Sequence, residues 1–303
     1  MAISMKYAQP ENQECALSSS PAGEVYSFCQ TDAFRELEKM IGLKPVKKTI
    51  AEISAYALIQ ARRSQQSLKA DPTALHMVFR GNPGTGKTSV ARILGGIFKE
   101  IGILPKGHLL EVERADLVGE YIGHTAQKTR EVLKKANGGI LFIDEAYTLA
   151  QGGGKDFGHE AIATLVKAME DQRNEMIVIL AGYCFEMDAF MLSNPGLRSR
   201  FALQINFPDY ESEELFNIAL QMYNERDYEL SSRCRWRLKC ILDDFVKCHH
   251  PHSGNARYVR NLVEKSIRQQ ALRLVDREYL SRKDLMTVEE KDVTVPDTKL
   301  LSY

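Results

Sequence analysis

A glycine-rich stretch between an apolar segment and a helical pattern constrains this chain more than any other feature. Residues 81–88 read Gly-Asn-Pro-Gly-Thr-Gly-Lys-Thr, which matches G-x-x-x-x-G-K-[ST], and they follow the apolar run 75–79. In a strand–loop–helix of this kind, backbone N–H groups and the helix N-terminus can face a phosphate chain. A glycine-rich turn with a chance Gly-Lys-Thr is the alternative, but the flanking strand and helix patterns argue against it. The stretch therefore predicts a nucleoside triphosphate site.

Individual residues of this loop are expected to hold the nucleotide and its metal ion. Lys87 is expected to bridge the β- and γ-phosphates, and the Thr88 hydroxyl to hold Mg2+. The other loop positions predicted to contact ATP are Pro83, Gly84, Thr85, Gly86 and Ser89. The predicted cofactors are therefore ATP and Mg2+.

A second feature is an apolar run that ends in two acids. Residues 140–143 are Ile-Leu-Phe-Ile and are followed by Asp144 and Glu145. A buried strand of this type delivers its carboxylates to the C-terminal edge of a parallel sheet, where α/β folds bind ligands. Asp144 is predicted to bind the Mg2+ through its water shell, and Glu145 to polarise the attacking water. An acidic helix cap is the alternative for an isolated Asp-Glu pair.

The spacing of apolar residues predicts an α/β domain followed by a smaller helical one. Five short apolar runs alternate with helical patterns, at 75–79, 109–112, 140–143, 176–181 and 203–207. This alternation indicates a five-stranded parallel sheet with helices on both faces. Strand patterns stop beyond residue 209, where helices are predicted at 215–223, 235–246, 258–274 and 281–288. The predicted units are a mobile N-terminal arm (1–30), an α/β nucleotide-binding domain (31–209), a small all-α lid (210–291) and a C-terminal tail (292–303).

Charge and hydropathy limit the partners. Lys plus Arg and Asp plus Glu both total 40, so no net basic field favours nucleic acid as the main partner. No apolar run approaches the roughly 20 residues that span a bilayer, and the N-terminus lacks the basic-then-apolar pattern of a secretory signal. We therefore expect a cytoplasmic protein that does not bind membranes.

Several arginines admit two interpretations. Arg198 and Arg200 lie in a turn before the fifth apolar run. They could meet a phosphoryl group in a neighbouring subunit, or they could be solvated surface charges. Arg257 opens the predicted helix 258–274 and could reach nucleotide phosphates, whereas Arg260 could equally be a surface charge.

Taken together, these residues resemble the AAA+ ATPases over roughly 37–274. Residues 81–88 look like the Walker A motif and 140–145 like Walker B. Arg198 and Arg200 match the arginine-finger region, with Arg200 in the more finger-like context, and Arg257 resembles the sensor-2 arginine. Ile41 and Gly42 resemble the segment beside the adenine. The fourth apolar run ends in Tyr183 instead of a sensor-1 Asn or Thr, which leaves the role of Tyr183 open.

Longer strings narrow the resemblance to the CbbX-type branch, which contains red-type Rubisco activases and a stage V sporulation protein. The strings are 116–125, 141–147, 179–183, 194–201 and 207–210. The resemblance implies a hexameric ring of identical subunits in which a pore loop, Tyr121, Ile122 and Gly123, grips an unidentified protein client. The short segment 150–158 is similar to the sporulation member, so ATP-driven protein remodelling in sporulation is the expected function. Rubisco activation and a DNA-directed or clamp-loader-like ATPase are the alternatives.

Overall fold

A block of alternating strands and helices is followed by a block that is mainly helical. The computed structural model describes residues 31–69, 74–121, 123–151, 157–171, 175–248 and 254–295. The strands are β1 Met77–Arg80, β2 Leu109–Val112, β3 Ile140–Ile143, β4 Ile177–Gly182, β5 Leu203–Asn206, β6 Glu229–Leu230 and β7 Thr287–Val288. The helices are α1 Asp32–Lys39, α2 Lys44–Gln65, α3 Lys87–Glu100, α4 Arg114–Leu117, α5 His124–Ala136, α6 Gly158–Asp171, α7 Cys184–Ser193, α8 Pro195–Arg200, α9 Ser212–Asn224, α10 Ser232–Lys247, α11 Asn255–Leu274 and α12 Arg282–Met286.

The central sheet is parallel, with the strand order β2-β3-β4-β1-β5. This confirms the predicted five-stranded fold. Strand β1 pairs with β4 on one side and with β5 on the other, so that Met77 lies opposite both Ile179 and Leu203. Strand β4 also pairs with β3. The segments that follow β1, β3 and β4 therefore lie along the same edge of the sheet. The segment after β4 lies between the segment after β3 and the segment after β1.

Alternation along the strands divides the hydrophobic core into two layers. Phe79 and Phe142 belong to one buried cluster, whereas Val78 and Leu141 belong to the other. Successive strand side chains point to opposite faces, and both faces of this sheet are covered by helices. Burying each of these side chains contributes about 1.5–3 kcal/mol. The sheet is thus a rigid base for the loops at its C-terminal edge.

The lid contains a small sheet that the sequence did not predict. We expected no strands beyond residue 209, yet β6 and β7 pair in parallel, and the expected helix at 281–288 stops at Met286. The physical reason is a buried side chain on α11. The Gln270 amide donates to the backbone oxygens of Leu285 at 2.8 Å and Thr287 at 3.1 Å, and these bonds satisfy carbonyls at the end of α12.

A buried ion pair attaches the end of the described chain to the lid. The Arg273 guanidinium, which is 10% exposed, donates to both carboxylate oxygens of Asp292 and lies 3.0 Å from Glu289. Removing one partner of such a pair leaves an uncompensated buried charge, which is strongly destabilising. The pair therefore fixes the segment after β7 against α11. No helix within the described ranges combines the length and the apolar character needed to cross a membrane.

Candidate active site

The loop between β1 and α3 is built to wrap around an anion. Gly84 and Gly86 have φ of 71° and 93°, a left-handed conformation that favours glycine. The Thr85 hydroxyl is buried and donates to the Asn82 carbonyl at 2.8 Å, which closes the turn. Helix α3 then begins at Lys87, and the first N–H groups of a helix have no acceptor within it, which makes this end suited to an anion.

Lys87 is bound to its own loop. Its ammonium nitrogen donates to the carbonyl oxygens of Gly81 and Asn82, each at 2.8 Å. Burial lowers the pKa of Lys87, and the Asp144 carboxylate opposes that shift. The influence of Asp144 shows that the carboxylate after β3 and the ammonium after β1 lie close to one another. Phosphate oxygens could replace the two loop carbonyls as acceptors for this ammonium.

The acid pair stands directly at the end of β3. The Asp144 N–H donates to the Val112 carbonyl at 3.0 Å, which continues the sheet ladder by one residue. Glu145 then takes a left-handed conformation with φ of 45°, and its carbonyl accepts from the Thr148 hydroxyl at 2.7 Å. A non-glycine residue in this conformation costs about 1–2 kcal/mol, and such strain concentrates at functional sites.

A cavity of about 280 Å³ joins the loop, the acids and the lid. The predicted site residues that line it are Pro83, Gly84, Gly86, Lys87, Thr88, Ser89, Asp144, Glu145 and Arg257. The structure thus brings the phosphate loop, both carboxylates and a lid arginine around one space. Thr88 and Asp144 both line this space, and their side-chain oxygens fit the predicted Mg2+, because this ion keeps several waters and binds phosphate oxygens.

The cavity is also lined by residues for which sequence patterns predicted no firm role. Gly182 and Tyr183 line it because β4 lies between β1 and β3 in the sheet. The order of the apolar runs along the sequence does not reveal this strand order. Arg260 lines it one helical turn after Arg257. The three-residue spacing of the two arginines on one predicted helix was the available signal for Arg260.

Two tyrosines lie close enough to Glu145 for its charge to act on them. The rings of Tyr147 and Tyr183 are 6.0 Å apart. Burial raises the pKa of both phenols, and the negative charge of Glu145 raises both pKa values further. Both phenols therefore stay protonated, and Tyr183, which lines the cavity, can donate a hydrogen bond into it. For Tyr183 this is compatible with a sensor-1 role, which stays a prediction.

Three residues predicted to contact the cofactor lie outside the lining of this cavity. Ile41 and Gly42 follow α1, and Gly42 has φ of 67°, a left-handed conformation that favours glycine. Thr85 is fully buried and serves the shape of the loop. The predicted adenine contact of Ile41 and Gly42 remains a prediction.

Tyr210 contacts the phosphate loop from the domain boundary, although the sequence suggested no role for it. Its hydroxyl donates to the Thr85 carbonyl at 3.4 Å, and the same hydroxyl would be in contact with a Cβ on Gly86. Burial raises the pKa of Tyr210 to about 12. The aromatic residue at the end of the string 207–210 was the available signal, but only the fold places it on the loop.

The predicted arginine fingers and pore loop lie away from the cavity. On α8, Arg198 is exposed, whereas Arg200 pairs with Glu170 at 2.6 Å and donates to its own Gly196 carbonyl at 3.2 Å. Neither arginine lines the cavity of its own subunit.

The predicted pore loop precedes α5. Tyr121 is 66% exposed, and Gly123, with φ of 83°, is the N-cap residue directly before α5. Ile122 falls outside the described residues, so only Tyr121 and Gly123 are placed.

A phosphate loop, a strand-end acid pair and lid arginines around one cavity define a nucleoside triphosphatase with a lid. Sequence comparison gives the family. Residues 77–209 match the model of the ATPase family associated with various cellular activities (AAA), and residues 211–301 match the AAA lid domain. The chain belongs to the AAA family, and the resemblance found in its motifs is confirmed. It is an ATPase that binds nucleotide and hydrolyses ATP.

Relatives across this family match most of the chain. Stage V sporulation protein K of Bacillus subtilis is 53% identical over 264 residues, which covers 87% of this chain and 82% of that protein. Protein CbbX of Cereibacter sphaeroides is 45% identical, covering 86% of this chain and 85% of that protein. A RuvB mutant structure from Thermotoga maritima matches with a TM-score of 0.55 at 19% identity, over 84% of this chain and 69% of that one. This last likeness concerns the fold alone.

Proposed function

We propose that this ATPase is a ring-forming protein remodeller that acts in sporulation. Its α/β domain (31–209) and lid (210–291) enclose ATP. The Thr88 hydroxyl and, through the water shell, Asp144 would hold a Mg2+, which would supply positive charge against the charge that builds on the γ-phosphate. Glu145 accepts a proton from the attacking water as that water bonds to phosphorus and the bond to ADP breaks. The observation that carries this proposal is the single cavity shared by Lys87, Asp144 and Glu145.

The sites are proposed to lie between identical subunits, because charge on the γ-phosphate needs a guanidinium that the cavity's own α8 does not supply. Arg198 is exposed, which favours it as the residue that reaches a neighbour. Arg200 is bound to Glu170, but an ion pair that is partly exposed is worth only about 0–1 kcal/mol. Arg200 can therefore be released at small cost, and both arginines are tested below. A ring of six subunits is the proposed assembly.

Mixed assemblies distinguish the two arginines. Arg198→Ala alone is expected to lower kcat about 10³-fold, the scale of a lost arginine finger. Mixing it equally with Glu145→Gln subunits completes about a quarter of the sites if each finger acts on its neighbour, so ATPase activity returns. The measurement is phosphate release at several mixing ratios. The same series with Arg200→Ala is the matched comparison. If ATPase activity recovers only in the series with Arg200→Ala, then Arg200 is the arginine finger. If activity recovers in neither series, the proposal that sites are shared between subunits is contradicted.

The proposed output of the ring is traction on a protein client. Tyr121 exposes two thirds of its surface on the loop between α4 and α5, and exposed aromatic side chains on loops are suited to gripping a partner. With Ile122 and Gly123 it would form the pore loop, whose position shifts when hydrolysis changes the angle between lid and α/β domain.

Tyr121→Ala is expected to uncouple ATP hydrolysis from this output. Hydrolysis should stay within about twofold of the unmodified protein, because Tyr121 does not line the cavity. Function is measured as heat-resistant spore formation in a Bacillus subtilis strain that lacks its stage V sporulation protein K. The unmodified chain should restore spores and Tyr121→Ala should not. Tyr279→Ala, at an 86% exposed lid tyrosine, is the matched control.

Failure of the unmodified, ATPase-active chain to restore spores would contradict the sporulation role. Equal rescue by Tyr121→Ala would instead contradict gripping by the pore loop. The similarity to Protein CbbX keeps Rubisco activation as the second candidate. It is tested by ATP-dependent release of an inhibited red-type Rubisco. A DNA-directed role has the support of the fold alone.

A further inference from the structure

Three polar side chains connect the phosphate loop, the domain boundary and the lid. The Asn82 amide donates to both Asp209 carboxylate oxygens, at 3.0 and 2.9 Å. The Asn255 amide donates to the same carboxylate at 2.8 Å and to the Pro83 carbonyl at 3.3 Å. We call Asn82, Asp209 and Asn255 the hinge cluster, because they join the phosphate loop to the point where the α/β domain ends and to the first residue of α11.

Asn255 occupies a conformation that these contacts must hold in place. It is 1% exposed, and its φ of 43° is left-handed. Its side-chain oxygen accepts from the Tyr210 N–H at 3.0 Å. Asparagine tolerates this region better than most residues, yet the conformation still carries strain. A buried amide with satisfied donors and acceptor offsets that strain, and replacing it leaves buried groups unpaired.

The same region brings the backbones of loop and lid into direct contact. The Ala256 N–H donates to the Gly84 carbonyl at 3.2 Å. A Cβ on Gly84 would collide with the Gly254 carbonyl, so the close approach depends on glycine. Arg257 and Arg260 follow on α11 and line the nucleotide cavity. The orientation of both guanidiniums is therefore set by where α11 begins.

We propose that Asn255 is a positioning residue that couples occupancy of the phosphate loop to the lid. When phosphates fill the loop, Asn82 and the Pro83 carbonyl shift, and the hinge cluster carries α11 with them. Arg257 and Arg260 then close on a triphosphate more than on a diphosphate, because the third phosphate adds charge for them to meet. The coupling acts within one subunit. Only the use of lid motion for protein remodelling rests on the proposed function.

The test exchanges the amide of Asn255 and the carboxylate of Asp209. Asn255→Asp and Asp209→Asn each break part of the cluster, whereas the double variant restores most of it. A carboxylate at 255 can accept from the Tyr210 N–H and from an amide at 209, whose oxygen can accept from Asn82. Asn255→Ala removes the contact altogether, and Asn261→Ala, at an exposed position of α11, is the matched control.

The primary readout is the ratio of ATP to ADP affinity, measured with fluorescent nucleotide analogues at a temperature where every variant is folded. Trp236 is the only tryptophan and lies on lid helix α10, so energy transfer from it to the bound analogue reports lid position. The single variants are expected to lower the ATP-to-ADP affinity ratio about tenfold and to abolish the ATP–ADP difference in transfer. The double variant should recover both to within about threefold.

An unchanged affinity ratio and an unchanged transfer difference in folded Asp209→Asn would overturn the proposal. Asp209 is exposed and the change preserves shape, so this variant remains informative even where Asn255→Ala fails to fold. Failure of the double variant to recover the ratio would also overturn it. A purely structural role would lower only the melting temperature. These readouts need no protein client, so a failed remodelling assay leaves them interpretable.

Discussion

Replacing Glu145 by glutamine is expected to lower kcat for ATP hydrolysis by about 10²–10⁴-fold while ATP stays bound. The amide keeps the size of the side chain but cannot take the proton of the attacking water. The proposed contacts of Lys87 with the phosphates and of Thr88 with Mg2+ are untouched, so the affinity for ATP should change little. Single-turnover hydrolysis and equilibrium ATP binding, measured on the same preparation, separate the two quantities.

Glu186→Gln is the matched control for this prediction. Glu186 raises the pKa of the same two tyrosines through its charge, as Glu145 does, but it does not line the cavity. It should therefore retain most of the activity. If both variants lost activity equally, the general negative charge near Tyr147 and Tyr183 would be responsible. Rapid turnover by Glu145→Gln would remove Glu145 from the role of base.

Lys87→Ala is expected to weaken ATP binding by about 10²–10⁴-fold, because two charge-assisted hydrogen bonds to phosphate oxygens are worth about 1.5–3 kcal/mol each. The folded protein should remain intact, since the ammonium contacts only carbonyls of its own loop. Isothermal titration with ATP measures the loss. Lys99→Ala changes an exposed lysine at the other end of α3 and should bind ATP normally. Unaltered binding by Lys87→Ala would contradict the phosphate contact.

Local patterns were sufficient for the sheet and for the residues that carry charge. The run 140–143 predicted a buried strand, and β3 is fully buried on both faces. The expected bounds of β2 and β3 agree with the structure, since short apolar runs between turn residues have few alternatives. Predictions in the lid were weaker. The β6–β7 pair depends on Gln270, which is distant in sequence from both strands, so no local pattern contains it.

Contacts between distant segments account for the residues that the sequence missed. Tyr183 enters the cavity because β4 lies between β1 and β3, and strand order is not written in any single run. Tyr210 follows β5 and Asn255 begins α11, so these two residues contact the phosphate loop only when β5 and α11 have packed against the rest of the fold. Their side chains are ordinary in composition, and their roles come from what the fold places opposite them.

The sequence by itself determined the chemistry: a glycine-rich loop with Lys87 and Thr88, and a buried strand ending in Asp144 and Glu145, because those residue types must occur together to bind and cleave a triphosphate. Only the tertiary structure decided how the lid is attached to that chemistry. The hinge cluster joins positions 82, 209 and 255, and hydrogen bonds across such separations form only when the sheet and α11 have packed.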